Sequence, residues 1–298
     1  MRESVAFTSS GLTLRGWLYR PRSATPSPII VMSHGFSAVK EMGLPPFAER
    51  FCQAGFAVLV FDYRCLGESD GAERGRIVAQ EQHDDLRAAL TYVSGLAGVD
   101  PSRIGVWGSS YSGGHALYIG ALDPRIKVIV AQVPAIAIAR SLVAIAGVDG
   151  FKGYLDLFAA DHAARERGEA SGRIPVVAPE GEPAVLATAD SYAWFVKSHP
   201  SWLEHWINHT TIESVARMAE YVPAAFIDLA APKPLLILAG ETDSLIPIDQ
   251  VREAFARAGE PKRLEVHPCG HFDFYPGGAF HEQAASAATD WFSRWLRP

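Results

Sequence analysis

The stretch Gly108-Ser109-Ser110-Tyr111-Ser112-Gly113-Gly114 follows directly on the run Arg103-Ile104-Gly105-Val106-Trp107 and leads straight into the helical pattern SGGHALYIGAL. A serine on a tight strand-to-helix turn has its hydroxyl thrust out at the C-terminal edge of a sheet. It also stands at the positive end of the helix dipole, where the next backbone N–H points at any developing oxyanion. Such a turn packs only when the residues two before and two after the serine are small. Gly108 meets that need, and Ser112 stands where the usual pattern has glycine, which leaves Ser109 and Ser112 as rivals to Ser110 for the role of nucleophile. The bland alternative is a Gly/Ser-rich connection that merely caps a helix.

Working outward, short apolar runs without alternation recur: PIIVMSH (28–34), FAVLVFD (56–62), KVIVAQV (127–133), PLLILAG (234–240) and RLEVHP (263–268). Runs of this kind suit strands buried on both faces. SVAFTS and LTLRGWLY flank Ser10-Gly11, which predicts an opening β-hairpin. Between the runs lie helical patterns. PPFAERFCQAG ends at Gly55, a C′ glycine; EQHDDLRAALTYVSGL spaces Leu86, Leu90 and Val93 by three to four; and EQAASAATDWFSRWL places Ala288, Trp291 and Trp295 on one stripe. Strand and helix alternating in this way predict an α/β fold with a mostly parallel central sheet covered on both faces. Residues 134–230 break the rhythm, with helical patterns, three of the seven tryptophans and no convincing buried strand. They read as a mainly helical lid inserted into a core made of residues 1–133 and 231–298.

Composition excludes several classes. Apolar residues make up 48 % and charged residues 20 %, an ordinary globular balance. The net charge of −6, without a run of like charges, supports neither a nucleic-acid footprint nor an anionic-membrane surface. Cys52, Cys65 and Cys269 form no paired spacing, so neither a disulfide framework nor a zinc module is indicated, and a reducing compartment is the simplest setting. The start MRESVAFTSSGLTLRGWLY has no continuous apolar core of a signal peptide. Val128–Ala139 is too short for a membrane span and is broken by Gln132 and Pro134. The expectation is a soluble cytoplasmic chain, with a homodimer as the default assembly.

A serine nucleophile needs a base, and the base needs an orienting acid. LLILAGETDSLIP supplies Asp243 after the next-to-last strand, with Glu241 as a weaker rival, and RLEVHPCGHFDF supplies His271 after the last. Singly each is bland, since a loop Asp is usually a turn-former and ten histidines are present. Together, in the order Ser110, Asp243, His271, they match the chain order of an α/β-hydrolase. Ser33-His34-Gly35-Phe36 ends an early strand, so the Phe36 amide is the expected oxyanion partner of the Tyr111 amide, with the His34 ring holding the turn. Asp62-Tyr63-Arg64, with Gly67 and Ser69, reads as a structural loop beside the elbow. His205 and His209, four apart with Glu204 and His199 nearby, could bind a metal on a helix, but a solvated or packing helix face is the expected reading. Trp202 and Trp206 read as a helix packing on its domain, with the lining of an acyl pocket as the alternative.

His34-Gly35, the Asp62-to-Ser69 stretch, the serine elbow and Gly240-x-x-Asp243 resemble the α/β-hydrolase superfamily from the first hairpin to the last helix. Ser33–Met42 (SHGFSAVKEM) and Gly108–His115 (GSSYSGGH) are similar to the polyketide transferase family, known mainly from fungal polyketide pathways. The Ser-Tyr elbow is also similar to that of X-prolyl dipeptidyl peptidases and cocaine esterase. The resemblance implies Ser110 as nucleophile, Asp243 as acid and His271 as base, working without cofactor or metal on a small-molecule acyl ester or thioester. It leaves hydrolysis and acyl transfer both open. The competing expectations are an amide-cleaving X-prolyl peptidase and a hydrolase fold that binds a ligand without turning it over.

Overall fold

The computed structural model describes residues 1–197, 202 and 204–297. In chain order the elements are β1 (Arg2–Ser9), β2 (Leu12–Tyr19), β3 (Ser27–Ser33), α1 (Pro45–Gln53), β4 (Ala57–Phe61), α2 (Ala79–Ser94), β5 (Val99–Ser109), α3 (Tyr111–Leu122) and β6 (Ile126–Gln132). They continue with α4 (Ile138–Glu166), β7 (Arg173–Ile174), α5 (Ala189–Tyr192), β8 (Thr210–Thr211), α6 (Ile212–Ala219), β9 (Leu235–Gly240), α7 (Ile248–Arg257), β10 (Lys262–His267) and α8 (His281–Leu296).

Among the described residues, eight strands form one sheet in the order β1-β2-β4-β3-β5-β6-β9-β10. β1, β2 and β4 pair antiparallel as the opening hairpin joins the sheet, and every pairing from β4 to β10 is parallel. The predicted runs are these strands. β3, β4 and β9 are buried at every position, as strands covered on both faces must be. The helical stripes also face the core: Leu86, Leu90 and Val93 of α2 are buried, and Gly55, just past α1, takes the left-handed φ of 97° expected at C′. α8 is the partial exception. Ala288 and Trp291 are buried, but Trp295 is 36 % exposed, because the stripe drifts around the helix as it leaves the sheet.

Residues 134–230 carry the long helix α4, bent at Gly147, then α5, a π-helical turn at Ala193–Lys197, α6 and a 3₁₀ segment at Pro223–Leu229. Among the described residues the one strand pairing there is the two-residue bridge of β7 with β8. Trp202 and Trp206 do not share an α-helix, contrary to the spacing argument. Trp206 lies in irregular chain with its ring centroid 5.2 Å from Phe195, and Trp202 lies 5.2 Å from Trp194. No described helix is long and apolar enough to cross a membrane.

Candidate active site

β5 delivers Ser109 to the C-terminal edge of the sheet and α3 starts at Tyr111, so Ser110 must turn the chain in a single residue. It does so at φ 57° and ψ −120°, a conformation that costs a non-glycine residue about 1–3 kcal/mol and survives only where its surroundings fix it. β6 and the chain after it do the fixing. The Ser110 amide donates to the Gln132 carbonyl at 2.9 Å, and the Ser110 carbonyl accepts from the amides of Gly114 and Ala135. Gly108 is obligatory, since a Cβ there would lie 2.0 Å from the Ser112 carbonyl oxygen. At Gly35 a Cβ would lie 3.1 Å from the Ser110 Cβ, which is how closely the loop after β3 approaches the elbow.

The three serines of the turn separate by environment. Ser109 donates to the Tyr275 hydroxyl at 2.6 Å and accepts from Gln132 Nε2, while the Ser112 hydroxyl lies 3.1 Å from that of Tyr63. Both serines are fully buried. Ser110 alone of the three faces a histidine: its Oγ lies 3.0 Å from His271 Nε2. His271 Nδ1 lies 2.7 Å from Asp243 Oδ2. The carboxylate fixes the tautomer, with Nδ1–H donating to Asp243 and Nε2 left to accept the serine proton. Asp243 is held in turn, since its Oδ1 accepts from the amides of Leu245 and Ile246 at 2.8 Å each. Glu241 points elsewhere and pairs with Arg252 on the surface. Next to His271, burial pushes the Cys269 thiol up to about 12, so it stays protonated at neutral pH.

Phe36 and Tyr111 flank the serine, their rings edge to face at 5.8 Å. Tyr111 is the first residue of α3, so its N–H is among those with no intrahelical acceptor. The pocket in front of Ser110 and His271 has about 410 Å³ of unfilled space, part of it open to solvent. Its walls are almost wholly apolar: Met42 and Leu44 from the loop after β3, Leu186, Trp194 and Phe195 from the 134–230 segment, and Leu245.

Behind the Phe36 loop stands a group that sequence reading missed. Lys40 is fully buried, and its Nζ lies 2.8 Å from Asp62, 2.6 Å from Glu68 and 2.8 Å from Glu41. Burial alone would lower its pKa, but the carboxylates outweigh burial and the net shift is upward. Burial pushes the Asp62 carboxyl up, opposed by Lys40 and by the amides of Lys40 and Glu68 from which it accepts, and the pair rivets the loop carrying Phe36 to the loop after β4. The expected structural role of Asp62-Tyr63-Arg64 follows the same logic, with Arg64 held on Asp85 by Nε and Nη2. The signal was a lysine amid acidic residues at 41, 62 and 68, which local spacing alone reads as a surface residue. His34 holds its turn from inside, its ring edge on to Tyr63 at 5.1 Å, and burial lowers its pKa to about 4.

His205 and His209 lie off any helix, and His199 lies outside the described residues. His205, Glu41 and Glu68 bring one ligand atom each within 4.8 Å of one another, but the Lys40 ammonium already bridges both carboxylates.

A family model described as X-Pro dipeptidyl-peptidase (S15 family) matches residues 10–273. The chain belongs to this family. It is 31 % identical over 292 residues to quorum-quenching protein AidA of Acinetobacter baumannii, covering 97 % of this chain and 94 % of that one. It is also 31 % identical over 284 residues to thiohydrolase aneE of Aspergillus aculeatus, covering 92 % and 87 %. The crystal structure of the α/β hydrolase GrgF from Penicillium superposes with a TM-score of 0.83 at 26 % identity over 99 % of both chains. The fold is thus that of the α/β-hydrolases, as expected, and the family is one of hydrolases and acyltransferases. The resemblance to polyketide transferases stands beside the peptidase model, since polyketide transferase grgF of Penicillium is 29 % identical over 93 % of this chain.

Proposed function

We propose that this enzyme opens an acyl ester or thioester through an acyl group carried on Ser110. The observation that carries this reading is the unbroken chain of hydrogen bonds from Ser110 through His271 to Asp243 at the mouth of an apolar pocket. His271 Nε2 takes the proton as Ser110 Oγ attacks the carbonyl carbon. The oxyanion forms between the Tyr111 and Phe36 amides. His271 then gives the proton to the departing alkoxide or thiolate, leaving the acyl group on Ser110. Water or an acceptor alcohol repeats the sequence in reverse and frees the serine. Asp243 holds the imidazole ring and stabilises the imidazolium in each half. Relatives named as thiohydrolases and as an acyltransferase favour a thioester donor, and residues 134–230, which supply three pocket walls, act as the lid.

The apolar lining favours this reading over peptide cleavage. A dipeptidyl peptidase has to hold the free ammonium of its substrate, and the described residues lining the pocket offer no carboxylate. The test is intact-protein mass after exposure to a fluorophosphonate, with peptide mapping. One adduct on the Ser110 peptide, absent in Ser110→Ala, is expected. Folded protein that takes no adduct would end the serine mechanism, and turnover of Ala-Pro-p-nitroanilide but not p-nitrophenyl butyrate would favour the peptidase.

A further inference from the structure

A second groove lies directly behind the wall of the catalytic pocket. It is a shallow surface groove with about 810 Å³ of unfilled space, much of it open to solvent, lined by Asp190, Ala193, Asp273, Pro276, Gly277 and Gly278, together with two residues it shares with the inner pocket. Those two are Trp194 and Phe272. Their rings are stacked, with centroids 5.2 Å apart and planes inclined by 24°. One comes from the π-helical turn of the 134–230 segment, and the other directly follows His271. The wall therefore closes only when segment and core meet.

Trp194 is braced from several sides. Its ring lies 4.9 Å from Tyr275 and 4.8 Å from Phe195, and its Cζ2 would lie 3.7 Å from a Cβ on Gly43. Trp194 and Phe195 are consecutive in this turn and both line the inner pocket. Among the described residues the indole Nε1 is buried without a hydrogen-bond partner, so at this position tryptophan incurs a polar cost that phenylalanine would avoid. What the indole adds is area, which is what a partition needs.

We propose that the Trp194–Phe272 pair is the specificity-determining wall of the acyl site. It confines the acyl group to the inner pocket, and opening it joins that pocket to the outer groove and admits longer acyl chains. The proposal rests on the reading that Ser110 carries the acyl group. Trp194→Ala and Phe272→Ala are the variants, read by the ratio of kcat/KM for p-nitrophenyl laurate to that for p-nitrophenyl butyrate. Each extra methylene held in an apolar pocket is worth about tenfold or more in discrimination, so the ratio is expected to rise at least about tenfold in both variants. Because the ratio is taken within one variant, a general loss of rate does not move it. Should Trp194→Ala fail to fold, Phe272→Leu thins the same wall with a smaller loss of volume.

A binding arm separates this proposal from the serine mechanism. Laurate and butyrate compete with 11-(dansylamino)undecanoic acid in the Ser110→Ala background, with and without Trp194→Ala. A shift toward laurate on opening the wall supports the partition even if the wild-type enzyme turns over no ester, an outcome that would remove only the role of Ser110. Unchanged chain-length profiles in both turnover and binding, in protein that labels at Ser110, would overturn the partition and leave the mechanism standing.

Discussion

Two histidine networks flank helix α3, and they use nearly the same atoms to opposite ends. On the pocket side, His271 lies between a serine hydroxyl and the Asp243 carboxylate. On the sealed side, His115 Nδ1 lies 3.1 Å from His83 Nε2 and 3.0 Å from the Tyr221 hydroxyl, and its Nε2 is 2.9 Å from Gln82 Oε1. No carboxylate touches that second cluster among the described residues. Burial consequently lowers His83 to about 3 and holds His115 well below the usual imidazole range. The lesson is that a buried imidazole becomes a usable base only when an anion waits to share its proton. Without one it is a rigid hydrogen-bonding strut, and here it ties Tyr221 of the inserted segment to α2 and α3.

The contrast can be attacked from both sides. The largest effect expected is from Ser110→Ala or His271→Ala, each costing about four to six orders of magnitude in kcat, with the two losses far from additive. Circular dichroism should show the fold unchanged. Next, Asp243→Asn gives His271 the neutral surroundings of His115. The expected loss is about three to four orders of magnitude in kcat, read with any ester that the wild type turns over. Full activity in this variant would hand the acid role to Glu241.

Lys40→Met removes the cation that opposes the burial of Asp62 and should cost about 3–5 kcal/mol in urea unfolding. Adding Asp62→Asn should restore part of the loss, which marks the pair rather than the lysine as the determinant. The buried histidines that lack a free anion make a pH prediction. His34 has its ordinary 6.5 in the unfolded chain and about 4 when folded, so between those values only the unfolded chain binds the proton. Stability must then fall as pH drops through that window, by about 3 kcal/mol for His34 alone once below it. His83 extends the loss toward lower pH. A melting temperature that stays flat from pH 7 to about 4 would contradict this linkage. The smallest change converts one network into the other: Gln82→Glu places a carboxylate on His115 Nε2 and should raise the His115 pKa, read by NMR titration of its ring protons.

Much of this was legible in the sequence, for identifiable reasons. Parallel strands buried on both faces print themselves as unbroken apolar runs, so β3, β4, β6 and β9 could be read directly. That Ser110, Asp243 and His271 come together was legible because each follows a readable strand end. Groups whose meaning depends on distant chain were not. Lys40 acquires its role from Asp62 and Glu68, and Trp194 from Phe272, partners that spacing cannot supply. Trp202 and Trp206 misled for the same reason, since a helical spacing was read where the chain is not an α-helix.

β6 and β9 are paired neighbours, with Ile129 opposite Leu235, yet the chain spends residues 133–234 travelling from one to the other. A dozen or so residues would complete such a parallel crossover. The register is set by the strands themselves, so most of the intervening length exceeds what the sheet requires, although Ala135 and Tyr221 anchor its two ends to the elbow and to α2 and α3. The walls at Leu186, Trp194 and Phe195 all lie on that surplus chain, while Ser110, Asp243 and His271 lie outside it. The surplus chain therefore holds much of the pocket's shape while the core holds the hydrogen-bonded set, so changing side chains between Leu186 and Phe195 redraws the pocket without touching Ser110, Asp243 or His271.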